Sequence, residues 1–357
     1  MVFKDYIEIV NSKLNSNYAY KPLFIWLLIL TFMTFLMIII GGLTRLTGSG
    51  LSMVDWQPIM GAIPPLNNQD WLIVFSSYQN SPEYQIVNMN MNLNEFKYIF
   101  WWEWFHRFFA RCLGLVFILP MIYFIIQKKI TKVLFKNLLI LFFFGLFQAT
   151  VGWWMVKSGL NNDPFVSSYR LAFHLTNAVI ILSILLWLTL NSLNNYNNNF
   201  LPKNTNEIFI ISTIIFLIIT IISGAFMAGS DAGKSFNTYP LMNGKIFPEG
   251  YFLDDNIFKN LFENTIAINF NHRWIATISF ITIIFLTSYL KFIKKIENKN
   301  YEIFAIILFV ILQFLLGILT LLTNAKIYFA SLHQVNSMLL LGSLIYIYYS
   351  IKKDRGI

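Results

Sequence analysis

The chain is poor in the residues that usually carry soluble-protein chemistry. Of 357 residues, one is cysteine, four are histidine and 12% are charged, against ~25% charged in ordinary globular proteins. A single thiol, Cys112, closes no intramolecular disulfide and builds no cysteine-based zinc or iron–sulfur centre, so it reads as a buried, inert side chain. Although the net charge is +9, no clustered basic stripe points to nucleic acid. The N-terminal stretch has no short apolar core followed by a small-residue cleavage site, nor an Arg- and Ser-rich character. Neither a cleaved signal nor an organelle transit peptide is expected from it.

Apolar residues are what the chain has in abundance: 57% hydrophobic and 18% aromatic, with a mean hydropathy of +0.60. Runs of about 20 apolar residues suffice to cross ~30 Å of hydrocarbon. Eight such runs lie near residues 23–42, 104–126, 135–156, 170–191, 207–229, 271–292, 301–322 and 329–351. The fold class is therefore an all-α polytopic membrane protein with eight transmembrane helices. Fifteen of the 26 Lys and Arg residues fall in one set of short segments: the N-terminus, "QKKITKVLFKN", Lys203, "KFIKKIENKN" and "KKDR". Positive charge stays on the cytoplasmic side, so both termini are expected in the cytoplasm. A bacterial plasma (inner) membrane is the simplest location.

The second half of the chain repeats the first. "MIIIGGLTRLTGSG" answers "TIISGAFMAGSDAG", "WFHRFFA" answers "FNHRWIA", and "LFQATVGWWMV" answers "ILQFLLGILTL". The last two share Gln-x-x-x-Gly, as Gln148/Gly152 and Gln313/Gly317. An even number of spans per half makes this a parallel repeat. The expected organisation is a four-helix bundle over 1–190 with a long outer loop at 43–103, an Asn-rich cytoplasmic linker at 191–206, and a second four-helix bundle over 207–357.

The four histidines, His106, His174, His272 and His333, fall one each in spans two, four, six and eight. Each lies near the outer start of its span, which predicts all four imidazoles at one depth, near the outer face. Two imidazoles facing across a four-helix bundle can clamp a heme, and bundle cores build ligand sites from facing helices. Taken singly, each histidine reads equally as an interfacial polar residue or a helix cap; the symmetric set of four favours paired heme ligation. Arg107 and Arg273 each follow a histidine, and a planar guanidinium suits heme propionates. Arg170, one turn before His174, reads either way: a propionate partner or a snorkelling outer-edge residue.

"WWEWFHRFFARCLG" (101–114) breaks the symmetry. Charge inside an apolar span is costly and asks for a reason. Glu103 stands three residues before His106, on the same helix face, where the second half has Asn269. A structural ion pair with Arg107 is the plain explanation; a carboxylate that relays protons beside one heme only is the functional one. "MNMN" at 89–92 reads as packing rather than a copper site, and "DWLIVFSSYQNSPEYQIV" as a partly buried outer segment.

The longer motifs resemble a known family. "GGLTRLTGSGLSMVDWQPIMGAIPPLNNQDW" (41–71), "SPEYQIVNMNMNLNEFKYIFWWEWFHR" (81–107), "AGKSFNTYPLMNGKIFP" (232–248) and "FNHRWIA" are similar to heme A synthase of the proteobacterial and mitochondrial variety. That resemblance implies an oxidoreductase that converts heme O to heme A, hydroxylating the C8 methyl group twice and dehydrating it to a formyl group, for cytochrome c oxidase assembly. It implies heme b as cofactor on His272 and His333. It also implies a substrate site in the first half on His106 and His174, and an important glutamate matching Glu103. Expected partners are heme O, a heme O synthase (protoheme farnesyltransferase), the oxidase assembly machinery and membrane lipid. The cysteine pair that some relatives carry in the first outer loop is absent here. Two other classes accommodate four histidines: a di-heme electron-transfer cytochrome of the quinol oxidoreductase type, and a heme or small-molecule transporter. Neither gives Glu103 a role confined to one half.

Overall fold

A computed structural model describes residues 2–55, 60–161, 163–193, 200–294 and 297–355. Eleven α-helices lie among them: α1 (Val2–Leu46), α2 (Asn68–Gln79), α3 (Pro82–Ile86), α4 (Leu93–Ile126), α5 (Lys132–Gly159), α6 (Ser168–Leu193), α7 (Thr205–Gly229), α8 (Ile257–Phe262), α9 (Thr265–Ser288), α10 (Asn300–Leu322) and α11 (Ile327–Arg355). Eight of these, α1, α4 to α7 and α9 to α11, are long and apolar enough to cross a membrane. The eight expected spans are all present.

Asparagine explains many of the helix starts. Asn67, Asn92, Asn204, Asn256 and Asn264 each stand before a helix and accept a hydrogen bond from an otherwise unpaired backbone N–H in its first turn. At α4 the arrangement is reciprocal, because Glu95 reaches back to the Asn92 amide. This box starts the helix well before the apolar run, at Leu93 rather than near 104. At 34 residues, α4 is about 50 Å long, so its first turns extend beyond ~30 Å of hydrocarbon. The first loop is correspondingly shorter than 43–103: α1 continues to Leu46, and α2 and α3 fill much of the rest. Trp71, Tyr78, Phe96, Ile99 and Phe100 form a buried cluster that packs this loop onto α4.

Helix neighbours differ between the two groups of four spans. In the last four, α7 packs on α9 and α11, and α10 packs on both α9 and α11, closing a ring. In the first four, α1 packs on α4 and α6, and α5 packs on α6, but α4 and α5 form no comparable interface. Phe280 of α9 packs against Phe314 of α10 with ring centroids 4.8 Å apart and planes tilted by 32°. Counting from the histidine of α4 and the glutamine of α5, the matching positions are Gly114 and Ala149. A Cβ at Gly114 or at Gly145 would meet nothing within 4 Å. Helices α1, α6, α7 and α11 join the two groups, and the largest apolar cluster runs through α6, α7, α9, α10 and α11.

Part of the Asn-rich linker, residues 194–199, lies outside the described residues. Its exit is anchored: Tyr348 Oη donates to the Phe200 carbonyl at 2.5 Å, and Lys352 pairs with buried Glu207 at 3.6 Å.

Candidate heme-binding site

Each histidine is seated on a glycine of a neighbouring helix. A Cβ at Gly41 would lie 3.3 Å from His106 Nε2; at Gly152, 3.0 Å from His174 Cε1; at Gly224, 3.2 Å from His272 Cε1; at Gly317, 3.0 Å from His333 Cε1. Any larger residue would push on the ring, so the missing side chains are what lets the four imidazoles approach the neighbouring helices. Odd-numbered spans supply the glycines and even-numbered spans the histidines. His106 and His174 stand on α4 and α6, and His272 and His333 on α9 and α11, so each group of four spans carries two of the rings.

The repeated Gln-x-x-x-Gly acquires a role in this geometry. On α5, Gly152 seats His174, and Gln148 Nε2 approaches His174 Nε2 at 3.2 Å. On α10, Gly317 seats His333, and Gln313 Nε2 approaches the same ring at 3.2 Å from Nδ1 and 3.3 Å from Nε2. Each glutamine is steadied from the histidine's own helix: Asn177 donates to Gln148 Oε1 at 2.6 Å, and Asn336 to Gln313 Oε1 at 2.8 Å. Those asparagines also donate to the Phe144 and Phe309 carbonyls. Asn177 and Asn336 escaped the sequence reading. The signal that would have found them is His-x-x-Asn, present in both halves.

Glu103 is buried and held at both oxygens. Ser52 Oγ and the Met53 backbone N–H each donate to Oε2 at 2.7 Å, and Arg107 donates to Oε1 at 2.5 Å and to the Met53 carbonyl at 2.9 Å. The ion pair considered from sequence is therefore present, and it also fastens the start of the first loop to α4. The second half does the same with a neutral residue. Asn269, fully buried, donates to the Ala232 carbonyl at 2.7 Å and accepts from Arg273 Nε at 2.7 Å. Arg273 continues to the Thr238 and Phe236 carbonyls. Arg107 and Arg273 thus organise the loops above the histidines. Arg170 stacks over Trp154 at 4.4 Å and donates to its carbonyl, tying α6 to the end of α5.

Above Glu103 lies a second buried acid. Glu83, on α3, accepts from Tyr78 Oη at 2.9 Å, and Asn88 donates to the same phenol oxygen at 2.8 Å. Burial raises the Glu83 carboxyl to about 7; the Tyr78 hydrogen bond opposes this and the Glu103 charge adds to it. Burial and Glu83 together push the Tyr78 phenol upward. Of "MNMN", Met91 packs into the aromatic cluster and Asn92 caps α4.

The donor set fits a heme. Among the described residues no three His, Cys, Asp or Glu side chains converge, so each site offers two imidazoles, the axial complement of a planar iron macrocycle. His174 Nδ1 is buried without a hydrogen-bond partner, and the glycine seats leave flat backbone beside the rings.

The family described as cytochrome oxidase assembly protein matches residues 24–345. A heme A synthase of Nitrosomonas eutropha is 36% identical over 345 residues, covering 95% of this chain and 96% of that protein. One from Nitrosospira multiformis is 38% identical over 341 residues, covering 94% of each chain. A third, from Wolbachia pipientis wMel, is 40% identical over 341 residues, again covering 94% of each. With eight candidate spans and a match along nearly its whole length, the chain belongs to the cytochrome oxidase assembly protein family, and the heme A synthases above are among its relatives.

Proposed function

We propose that this chain is a heme A synthase, an oxidoreductase of the bacterial inner membrane. It converts heme O to heme A by two successive hydroxylations of the C8 methyl group and dehydration to a formyl group. The two groups of four spans are related halves, both termini are cytoplasmic, and the histidines lie near the periplasmic face. The first half holds the substrate between His106 and His174; the second holds heme b on His272 and His333. Heme b supplies one-electron transfer when bound.

The observation that carries this division is the asymmetry of the halves. Among the described residues, only the first has a carboxylate three residues before a histidine, where the second has Asn269, and only the second closes its second and third spans with an aromatic pair. Glycine at 114 and 145, where a Cβ would meet nothing within 4 Å, leaves room beside α4 and α5 for the long apolar tail of heme O, reached from the lipid. The second half, filled by Phe280 and Phe314, suits a cofactor that stays.

Within that site His106 and His174 orient the substrate. Glu103, fixed at both oxygens by Ser52, Met53 and Arg107, is positioned to stabilise positive charge near the reacting methyl and to exchange a proton at its carboxylate. Propionate contacts of Arg107 and Arg273 share those guanidiniums with the loop carbonyls they already hold. Heme O reaches the enzyme from a heme O synthase, and the product passes to oxidase assembly.

Co-expression with a heme O synthase, followed by chromatography of extracted hemes, tests the proposal. Heme A or its hydroxylated precursor is expected only with this protein present; unchanged heme O with intact, membrane-inserted protein would overturn it.

A further inference from the structure

We propose that Ser223 is a positioning residue that fixes the tautomer of His272 and sets how strongly that ring donates electrons to a heme iron. The inference rests on the reading of His272 as an axial ligand. Ser223 Oγ lies 2.7 Å from the Thr220 carbonyl and 2.7 Å from His272 Nδ1. A serine hydroxyl carries one proton, and a carbonyl oxygen can only accept. The hydroxyl proton therefore goes to Thr220, and the contact with Nδ1 is made through an oxygen lone pair. Nδ1 must then carry the hydrogen, and Nε2 keeps its lone pair for a metal.

The next residue completes the clamp. Gly224 faces the Cε1 edge of the ring, so one dipeptide of α7 both leaves room for the imidazole and holds its Nδ1. The first half has no equivalent. Its dipeptide is Ile40–Gly41, which offers no hydroxyl, and His106 presents Nε2 rather than Cε1 to its glycine. His174 Nδ1 has no partner, and Gln313 brings an amide donor to His333. Among the described residues, His272 is the histidine whose Nδ1 meets an oxygen acceptor.

An acceptor on the distal nitrogen raises the basicity of a ligating imidazole and favours the oxidised metal. Ser223 accordingly lowers the midpoint potential of the heme on His272. The difference from His106 follows from function: a resident electron carrier needs a ligand set in advance, whereas a substrate site must release its ligand.

The test uses the full chain, purified with heme b in lipid nanodiscs, with redox titration followed through the visible α-band and electron paramagnetic resonance of the oxidised form. Ser223→Ala is expected to keep the heme content and low-spin spectrum while its midpoint potential shifts upward. Ser223→Thr, which retains the acceptor, is expected to stay at the wild-type potential, and Ser223→Cys, a poor acceptor, to lie above Thr. Should the alanine variant lose heme, the Thr and Cys pair decides. Equal potentials for Thr and Cys, or for wild type and Ala with heme retained, would overturn the inference. A His272→Ala variant with an unaltered heme spectrum would instead overturn the ligand reading on which it rests.

Discussion

Glu103 and Asn269 stand at the same place, three residues before a histidine and four before an arginine, and bond in opposite senses. Glu103 only accepts, from the Ser52 hydroxyl and the Met53 amide; Asn269 donates, to the Ala232 carbonyl. Both fasten a loop above a histidine pair. The carboxylate is thus more than that fastening requires, since a neutral amide does the same work in the other half.

Glu103→Gln preserves shape and part of the hydrogen bonding but removes the charge. Conversion of heme O is expected to fall at least tenfold while heme b is retained, read by chromatography of extracted hemes and by the visible spectrum, with some loss of thermal stability because Arg107 loses its counter-charge. Undiminished conversion would reduce Glu103 to a loop fastener.

Asn269→Leu is the converse experiment. It strands the buried Ala232 carbonyl and removes an acceptor from Arg273, a loss of about 1–3 kcal/mol for a buried unsatisfied group. The thermal unfolding midpoint in detergent should drop, and heme b should become easier to extract.

The glycine seats predict a clean separation of sites. Gly317→Val drives a side chain into His333 and is expected to strip heme b, measured as pyridine hemochrome per protein. Gly152→Val does the same to His174 and should abolish conversion while heme b remains.

Filling the gap between α4 and α5 tests the substrate half. Gly114→Phe combined with Ala149→Phe copies the Phe280–Phe314 pair. Conversion of heme O should be lost and heme b content unchanged; full conversion by the double variant would remove the tail from this location.

Glu83 gives the first loop a pH dependence of known sign. Its folded carboxyl is raised from 4.5 to about 7, so the folded state holds the proton more tightly than the unfolded chain. The resulting stability is complete below about pH 4.5 and is lost as pH rises through 7. Hydrogen exchange of α2 and α3 should speed up across that window, and Glu83→Gln should flatten the response.

The spans were legible in the sequence because they depend on local pattern, runs of apolar residues. Gln-x-x-x-Gly was visible as a repeat but mute, since its meaning lies in a ring from the next helix. The hold of Ser52 and Met53 on Glu103 crosses about 50 residues of loop and leaves no periodic trace. Neither does the opening between α4 and α5, which is written as two small residues, Gly114 and Ala149, in otherwise ordinary apolar spans. Ser223 was quoted in a repeat motif, yet its partner is 49 residues away.

Gly41 seats His106, and the adjacent Gly42 faces Gln334, the neighbour of His333, so closely that any Cβ there would collide with the amide. Gln334 also donates to the Ile38 carbonyl at 2.8 Å. Two consecutive glycines of α1 therefore serve different groups of spans: Gly41 makes room for the ring of His106, and Gly42 for the amide beside His333, so a bulky residue at either place disturbs a different histidine.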